Sequence, residues 1–397
     1  MTTPLGIPWR GLPSIRLTGK GRRWALSGHP WVYGDDLAQV PTLPPGALVA
    51  VLDPQGDFLG QAFYSATSRI ALRFLTREET TVDRDFWAAR LDQAVAYRTL
   101  AAPEAQARRL IFGEADGFPG LVVDAYGPHL AVQTLHPGME QWLPELLELL
   151  KHRLHPASLT LRHDAEVRLL EGLPLEVKTV WGRLPDTLVI REGELTVQVD
   201  ILRGQKTGLF LDQQENHLAA RMFAKGEVLD VFAYQGGFGL QMAAAADRVT
   251  LVDASATALD VARENARRNG LANVVTHKAN AFHFLKNAVR QGKGYDVVIL
   301  DPPAFAKSRR DRPAAIKGYL EINRLAFQVV QPGGCVITCS CSYNLREEEF
   351  LTLVREAAAA AHRQVRVVER RNAARDHPAL LSLPESMYLK VLFLLII

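Results

Sequence analysis

Two short segments in the last third of the chain carry its most reactive groups. One is Asp301-Pro302-Pro303-Ala304-Phe305, directly after the apolar run Tyr295 to Leu300. The other is Thr338-Cys339-Ser340-Cys341-Ser342, directly after the apolar run Cys335 to Ile337. Short apolar runs bounded by turn residues read as strands of a parallel sheet, and an open α/β sheet binds ligands outside the carboxyl ends of its strands. One such end offers a carboxylate beside a rigid Pro-Pro corner, the other a thiol. A thiolate that adds to C6 of a pyrimidine makes C5 nucleophilic, so one hard step becomes two easier ones. Cys341 is the expected nucleophile, being nearer the strand mouth than Cys339, whereas Cys335 lies inside a strand and reads as core. Asp301 is placed to hydrogen-bond the base edge and help protonate N3. Phe305 is placed to stack on the base, and Lys307, Arg309 and Arg310 bring positive charge.

The other half of the site reads as a nucleoside pocket. Val228 to Phe232 runs into Ala233-Tyr234-Gln235-Gly236-Gly237-Phe238-Gly239, a glycine-bearing turn that opens a helix and lets a ligand approach the backbone. The next strand ends in Asp253, an acidic residue where dinucleotide folds bind ribose hydroxyls. The glycine spacing is not G-x-G-x-x-G and no P-loop lysine follows, which favours a nucleoside without phosphates. S-adenosylmethionine fits, with Asp230 near its amino-acid end and Asn280 beside adenine. The bland reading of Asp253 and Asn280 is that they cap the helices that follow.

These strand ends need a framework. From about Gly193 to Ile397 strand and helix alternate, with strands at Glu227–Phe232, Arg248–Asp253, Asn273–His277, Asp296–Leu300, Cys335–Thr338 and Tyr388–Ile396; this predicts a doubly wound parallel sheet of α/β class. Residues 77–191 read as a central α+β domain with helices at Asp85–Leu100 and Met139–Arg153 and strands at Leu121–Asp124 and His129–Gln133. There Arg108, Arg109, Glu114 and Asp116 are expected to be solvated or turn-forming. Residues 1–76 read as a small β-rich domain with strands at Ala47–Asp53, Phe58–Tyr64 and Ile70–Leu75. Its basic residues Arg16, Lys20, Arg22 and Arg23 precede Trp24, Trp31 and Tyr33, a pairing that suits RNA; aromatics of a small barrel also serve as core.

Composition narrows the field. At 397 residues, 48% hydrophobic and 22% charged, the chain has the balance of a soluble protein of two or three domains. No apolar stretch reaches the length of a membrane span. The N-terminus shows no secretory pattern. The three cysteines fall within seven positions, which excludes a disulfide scaffold and any metal set, and a reducing cytoplasm is the expected setting. The net charge of +3 permits an anionic partner without requiring one.

Over nearly its whole length the sequence resembles the RNA cytosine-5 methyltransferases that act on large-subunit (23S) ribosomal RNA. The matching motifs begin with His29-Pro30-Trp31-Val32 and Gly113-Glu114-Ala115-Asp116-Gly117-Phe118-Pro119-Gly120-Leu121. Next come Gly204-Gln205-Lys206-Thr207-Gly208-Leu209-Phe210-Leu211-Asp212-Gln213, Asp301 to Phe305 and Ser340-Cys341-Ser342. Asp376-His377-Pro378, Pro384-Glu385 and Tyr388-Leu389-Lys390 complete the set. The resemblance implies a PUA-like RNA-binding domain, a central α+β domain and a Rossmann-like methyltransferase domain. It implies Cys341 as nucleophile, Asp301 beside the target base, and cofactor contacts from Phe210, Asp212, Tyr234, Gly236, Asp253 and Asn280. Asp230, Gly237, Phe238, Ala281, Asp301 and Pro302 extend that cofactor set; Lys20, Arg22, Arg23, Trp31, Phe305, Lys307 and Arg309 form the expected RNA contacts. Asn280 stands where an aspartate is common in the family, and asparagine can still accept from the adenine amino group. Ala304 stands where other RNA cytosine-5 methyltransferases carry a second cysteine. Transfer to another base such as guanine, without a covalent step, and a non-catalytic ribosome-assembly factor are the alternatives. A homodimer is compatible with the surface of the central domain.

Overall fold

A computed structural model describes residues 8–39, 42–306 and 309–397. Lys307 lies outside the described residues, as does the side chain of Arg309. The chain forms two compact units that interleave along the sequence. The first comprises residues 1–190, 199–211 and 375–384, the second residues 191–198, 212–374 and 385–397.

The first unit contains two five-stranded sheets. The N-terminal one holds the three expected strands, observed at Leu48–Leu52, Phe58–Tyr64 and Ile70–Thr76, and adds Ser14–Arg16 and Trp31–Tyr33. Its core is Ile15, Leu17, Val32, Val49, Val51, Ala62, Leu72 and Phe74. The second sheet is Ala107–Phe112, Leu121–Tyr126, His129–Thr134, Ser158–His163 and Glu176–Gly182. Helices Arg84–Ala101 and Pro137–Leu154 bury Trp87, Leu91, Met139, Trp142 and Leu146 against Ile111, Val123, Val132 and Leu161. Asp83 starts the first helix by accepting from Phe86 N at 2.9 Å.

The charged residues of this unit correct the sequence expectation. Glu114 and Asp116 do lie in a turn, the 3-10 segment Gly113–Asp116, but Arg109 and Asp116 are not solvated; their side chains belong to a buried network. The Arg109 guanidinium donates to both oxygens of Asp124 at 2.8 and 2.9 Å. Its backbone N–H donates to Asp376 Oδ2 at 2.8 Å. Fully buried Arg98 donates to Asp116 Oδ2 at 2.7 Å and to the Asp376 carbonyl at 3.0 Å. Thr207 donates to Asp124 Oδ2, and His377 Nδ1 lies 2.7 Å from Asp376 Oδ1. Burial pushes the Asp124 carboxyl up, but Arg109 outweighs it and holds the group below its usual range. Motifs from residues 113–121, 204–208 and 376–378 therefore meet at one structural node.

The second unit is built on a seven-stranded sheet: β1 (Glu227–Val231), β2 (Arg248–Asp253), β3 (Val274–Lys278), β4 (Tyr295–Leu300), β5 (Val330–Ser340), β6 (Val365–Arg371) and β7 (Lys390–Ile396). Their spatial order is β3-β2-β1-β4-β5-β7-β6. The five strands β3, β2, β1, β4 and β5 are parallel, and β7 runs antiparallel to both β5 and β6. The doubly wound reading holds; its correction is the C-terminal strand, which enters against the others, and β6, which the sequence reading lacks. Strand β6 is a charged edge strand, Val-Arg-Val-Val-Glu-Arg-Arg, mostly exposed, and so carries no apolar run. The central parallel strands β1, β2 and β4 and the second half of β5 are buried on both faces and read as continuous apolar runs for that reason, whereas β3 at the sheet edge is partly exposed. Leu229, Val298, Val336 and Leu392 face one core, and Val228, Val297, Ile337 and Val391 the other.

Candidate methyltransferase site at the carboxyl ends of the parallel strands

The strand register brings the predicted residues to one end of the sheet. Val231 pairs with Val252 and Leu300, and Leu300 pairs with Thr338. Asp253, Asp301 and the segment after Asn280 thus leave the sheet on the same side as Cys341. Beyond β1 the backbone is forced into an unusual course. Phe232 and Tyr234 adopt positive φ values of 65° and 50°, and Gly236 follows at 85°. Two non-glycine residues in the left-handed region within three positions store strain, a mark of functional turns. The turn is held by Gly236 N donating to the Ala233 carbonyl at 2.7 Å and by Tyr234 N donating to Asp253 Oδ2 at 2.9 Å.

Asp230 lies beneath this turn with 1% exposure. One oxygen accepts from Gly239 N at 2.9 Å; the other is buried with no hydrogen-bond partner among the described residues. Burial pushes its carboxyl up to about 7, and the neighbouring charges of Asp301 and Asp253 add to the rise. A buried acceptor held among like charges is suited to a cationic ligand. The amino group of S-adenosylmethionine fits that demand, and Asp253 would offer a carboxylate to ribose hydroxyls; Gly236 and Gly237 are required by close packing, since a Cβ on either would meet Leu240 or His217 within 3 Å. When bound, the cofactor supplies an electrophilic methyl group.

Asp253 and Asn280 also perform the bland role. Asp253 Oδ1 accepts from Ser255 N at 2.8 Å, and Asn280 Oδ1 accepts from His283 N at 3.2 Å as the N-cap of helix Ala281–Arg290. A carboxylate or amide oxygen has a second lone pair, so capping leaves acceptor capacity for a ligand. Asp212 is buried and accepts from the Tyr388 hydroxyl at 2.6 Å. Phe210 belongs to the first unit, where the Lys206 ammonium lies 4.7 Å from its ring centre.

The thiol sits on a fixed tripeptide. Ser340 and Ser342 both lie 3.1 Å from the hydroxyl of buried Tyr319, which reaches them from helix Arg312–Val329. Ala306 N donates to Ser342 Oγ at 3.3 Å and Asn344 donates to the Ala306 carbonyl at 3.2 Å, tying the end of β5 to the Asp-Pro-Pro segment. Cys341, half-buried, lies 3.8 Å from the Pro302 carbonyl through its sulfur. Gln213 donates to Asp301 Oδ1 at 3.1 Å. Phe305, expected to stack on a base, is half-buried and packs 4.8 Å from Tyr319 and 6.2 Å from Phe282. Cys339 is fully buried, and burial together with Asp301 raises its thiol well above the usual value.

Several members of this site have no counterpart among the expected site residues. His217 Nδ1 lies 2.8 Å from Glu192 Oε1. Burial alone would lower His217, but Glu192 outweighs it and holds the imidazolium above its ordinary range. Its ring lies 4.6 Å from Phe238. Tyr319 and Lys390 support the thiol tripeptide. Lys390 had a sequence signal, a lysine opening the apolar strand Val391 to Ile397.

In the N-terminal sheet the expected RNA contacts have partners of their own. Lys20 pairs with Asp36 at 2.9 Å and keeps 72% of its side chain exposed. Arg22 pairs with Asp53 at 2.9 Å. The Trp31 indole donates to Glu114 Oε1 at 2.7 Å, with the Arg73 guanidinium 5.2 Å over the ring. Arg23 is exposed.

Known proteins share this arrangement. Residues 15–77 match the PUA-like domain family, and residues 151–393 match the S-adenosylmethionine-dependent methyltransferase family. A Vibrio cholerae protein named ribosomal RNA large subunit methyltransferase I is 38% identical over 95% of this chain and 98% of its own length. A Shewanella amazonensis protein of the same name is 37% identical over the same shares. A solved S-adenosylmethionine-dependent methyltransferase from Streptococcus mutans has the same fold, with a TM-score of 0.83 at 19% identity over 97% of this chain and 100% of that one. With the strained turn, the strand-end carboxylates and the thiol in place, the chain belongs to the ribosomal RNA large subunit methyltransferase I family of S-adenosylmethionine-dependent methyltransferases.

Proposed function

We propose that this protein methylates C5 of a cytosine in large-subunit (23S) ribosomal RNA through a covalent bond between Cys341 and C6. The observation that carries the reading is the half-buried Cys341 thiol, which faces the Pro302 carbonyl of the Asp301-Pro302-Pro303 segment and lies between two serines whose hydroxyls Tyr319 and Ala306 hold. A structural thiol needs no such clamp; Cys335 and Cys339 are simply packed in the sheet core.

In this reading the Cys341 thiolate adds to C6, and electron density moves through the ring toward N3 and C5. Asp301 hydrogen-bonds the base edge and steadies the charge that builds there. C5 takes the methyl group of the sulfonium, which departs as a neutral thioether; a base such as solvent water removes the C5 proton, and the electrons of that C–H bond expel Cys341 as thiolate. The ring double bond returns and the enzyme is restored. The basic surface around Lys20, Arg22 and Arg23 supplies phosphate contacts, and the reaction belongs to the cytoplasm.

The test is transfer of labelled methyl to ribosomal RNA that lacks the modification, with wild type and Cys341→Ala side by side. Label in 5-methylcytosine from wild type and a loss of at least about a thousandfold in the variant is the expected result, since removing a covalent nucleophile costs rates of that order. Equal label from both would remove Cys341 from the chemistry and move the assignment to another base. Cofactor binding without transfer to either naked RNA or assembled subunits would favour the assembly-factor alternative.

A further inference from the structure

A lysine is buried one residue from the thiol, across the sheet. Ser340 of β5 stands directly opposite Lys390 of β7. Lys390 retains 4% exposure, unusual for a lysine. Its Nζ donates to the Ser342 carbonyl at 2.7 Å and to the Tyr388 carbonyl at 2.8 Å. An ammonium has three N–H bonds, and these carbonyls account for two of them. No carboxylate lies within ion-pair distance of it among the described residues, in contrast to buried Arg98 and Arg109. The ionisable groups that act on it are Cys341 and Glu347. Tyr319 faces the same tripeptide from its helix, and the Cys341 charge acts on it as well.

We propose that Lys390 is a positioning residue for the reaction, the buried ammonium that serves as counter-charge to the Cys341 thiolate and fixes its loop through the Ser342 carbonyl. This rests on the reading of Cys341 as nucleophile. A cation in a buried setting is costly unless an anion accompanies it. Burial pushes the Lys390 amine down to about 8, and the Cys341 charge acts in the opposite direction. The two groups therefore stabilise each other's charged forms. The proton that leaves the Cys341 thiol goes to solvent or to a neutral Lys390 amine; either route ends as thiolate and ammonium. Among the described residues of this unit, Lys390 is a buried lysine that touches the Ser-Cys-Ser segment.

The test reads the thiol directly. Cys341 is alkylated with iodoacetamide across pH 6 to 10 in the full chain, and the modified peptide is quantified by mass spectrometry. The buried positions of Cys335 and Cys339 leave Cys341 as the reactive thiol. Lys390→Met is expected to slow alkylation at neutral pH by about tenfold and move the half-maximal pH up by about one unit, while Lys390→Arg keeps the wild-type profile. An unchanged profile in Lys390→Met, with cofactor binding intact, would overturn the proposal. Should Lys390→Met not fold, the wild-type profile alone decides: a half-maximal pH at or above that of free cysteine, ~8.5, refutes it. Because alkylation does not depend on methyl transfer, the outcomes separate. Full transfer by Cys341→Ala would sink the catalytic reading whatever the alkylation shows. An unaltered alkylation profile with a dead Cys341→Ala enzyme would sink only the role of Lys390.

Discussion

If the cofactor's amino group binds against Asp230, as the site geometry proposes, cofactor binding is expected to release a proton. In the free enzyme its carboxyl sits near 7, against an ordinary value of 3.8. That difference of about three units means that ionising Asp230 in the folded site costs about 4 kcal/mol. The folded value is raised, so the neutral form favours folding fully below the unfolded value, and this contribution is lost as pH rises through about 7. A ligand ammonium beside the unpartnered oxygen reverses the balance and favours the carboxylate. At pH 6 Asp230 is about nine-tenths protonated, so saturation with S-adenosylmethionine should release about 0.9 proton; at pH 8.5 the release should approach zero. Calorimetry in two buffers of different ionisation enthalpy measures this number at each pH. Asp230→Asn keeps the bond from Gly239 N but cannot ionise, so its proton release should vanish and its affinity should fall by about ten- to a hundredfold, the worth of one charge-assisted hydrogen bond. Binding heats independent of buffer at pH 6, or the same release in Asp230→Asn, would refute the placement of Asp230 against a cationic group.

Two further substitutions test the packing around the site and the buried network. A Cβ built on Gly237 would lie 2.3 Å from His217 Cε1, so Gly237→Ala must push the strained turn or the histidine aside. Overpacking of this kind costs about 1–3 kcal/mol; S-adenosylmethionine affinity measured by calorimetry should drop, and the added change His217→Ala should restore part of it. In the first unit, Arg98→Met leaves Asp116 and the Asp376 carbonyl without their guanidinium partner. Breaking a buried pair costs about 3–5 kcal/mol, so the urea midpoint for that unit should fall sharply, and a surface-like loss below about 1 kcal/mol would contradict the burial assigned to it.

The parts legible in the sequence were those whose physics is local. Buried parallel strands are apolar runs, so β1, β2, β4 and β5 announced themselves, and the residues that follow each run marked the candidate site. The edge strand β6 was silent because half its length is charged. The node around Arg98, Arg109, Asp124 and Asp376 was silent for another reason. Arg98 and Asp376 are 278 positions apart, and no spacing rule reveals that an arginine on a helix will meet a turn near the other end of the chain. The motif residues were visible, but the work they share was not. Capping and ligand binding are likewise indistinguishable by residue type at Asp253 and Asn280, because the side-chain oxygens that make the capping bonds are the same kind that a ligand would need.

The three cysteines show how position converts one residue type into different chemistry. They lie on one strand, and Cys335, Ile337 and Cys339 all point into the same core, as a period of two requires. Cys335 is pushed up to about 12 by burial, and Cys339 further above its usual range. Neither can reach a useful thiolate fraction near neutral pH. Cys341 continues the same alternation but stands one residue past the end of β5, where the sheet stops, Tyr319 holds the Ser340 and Ser342 hydroxyls, and Lys390 holds the Ser342 carbonyl. There it keeps the orientation of a core residue and gains the access of a loop residue. A strand one pair longer would bury the sulfur with the others, and a strand one pair shorter would leave it on a mobile loop without its clamp. The length of β5, set by its register with Lys390 on β7, is therefore what makes this thiol the candidate nucleophile.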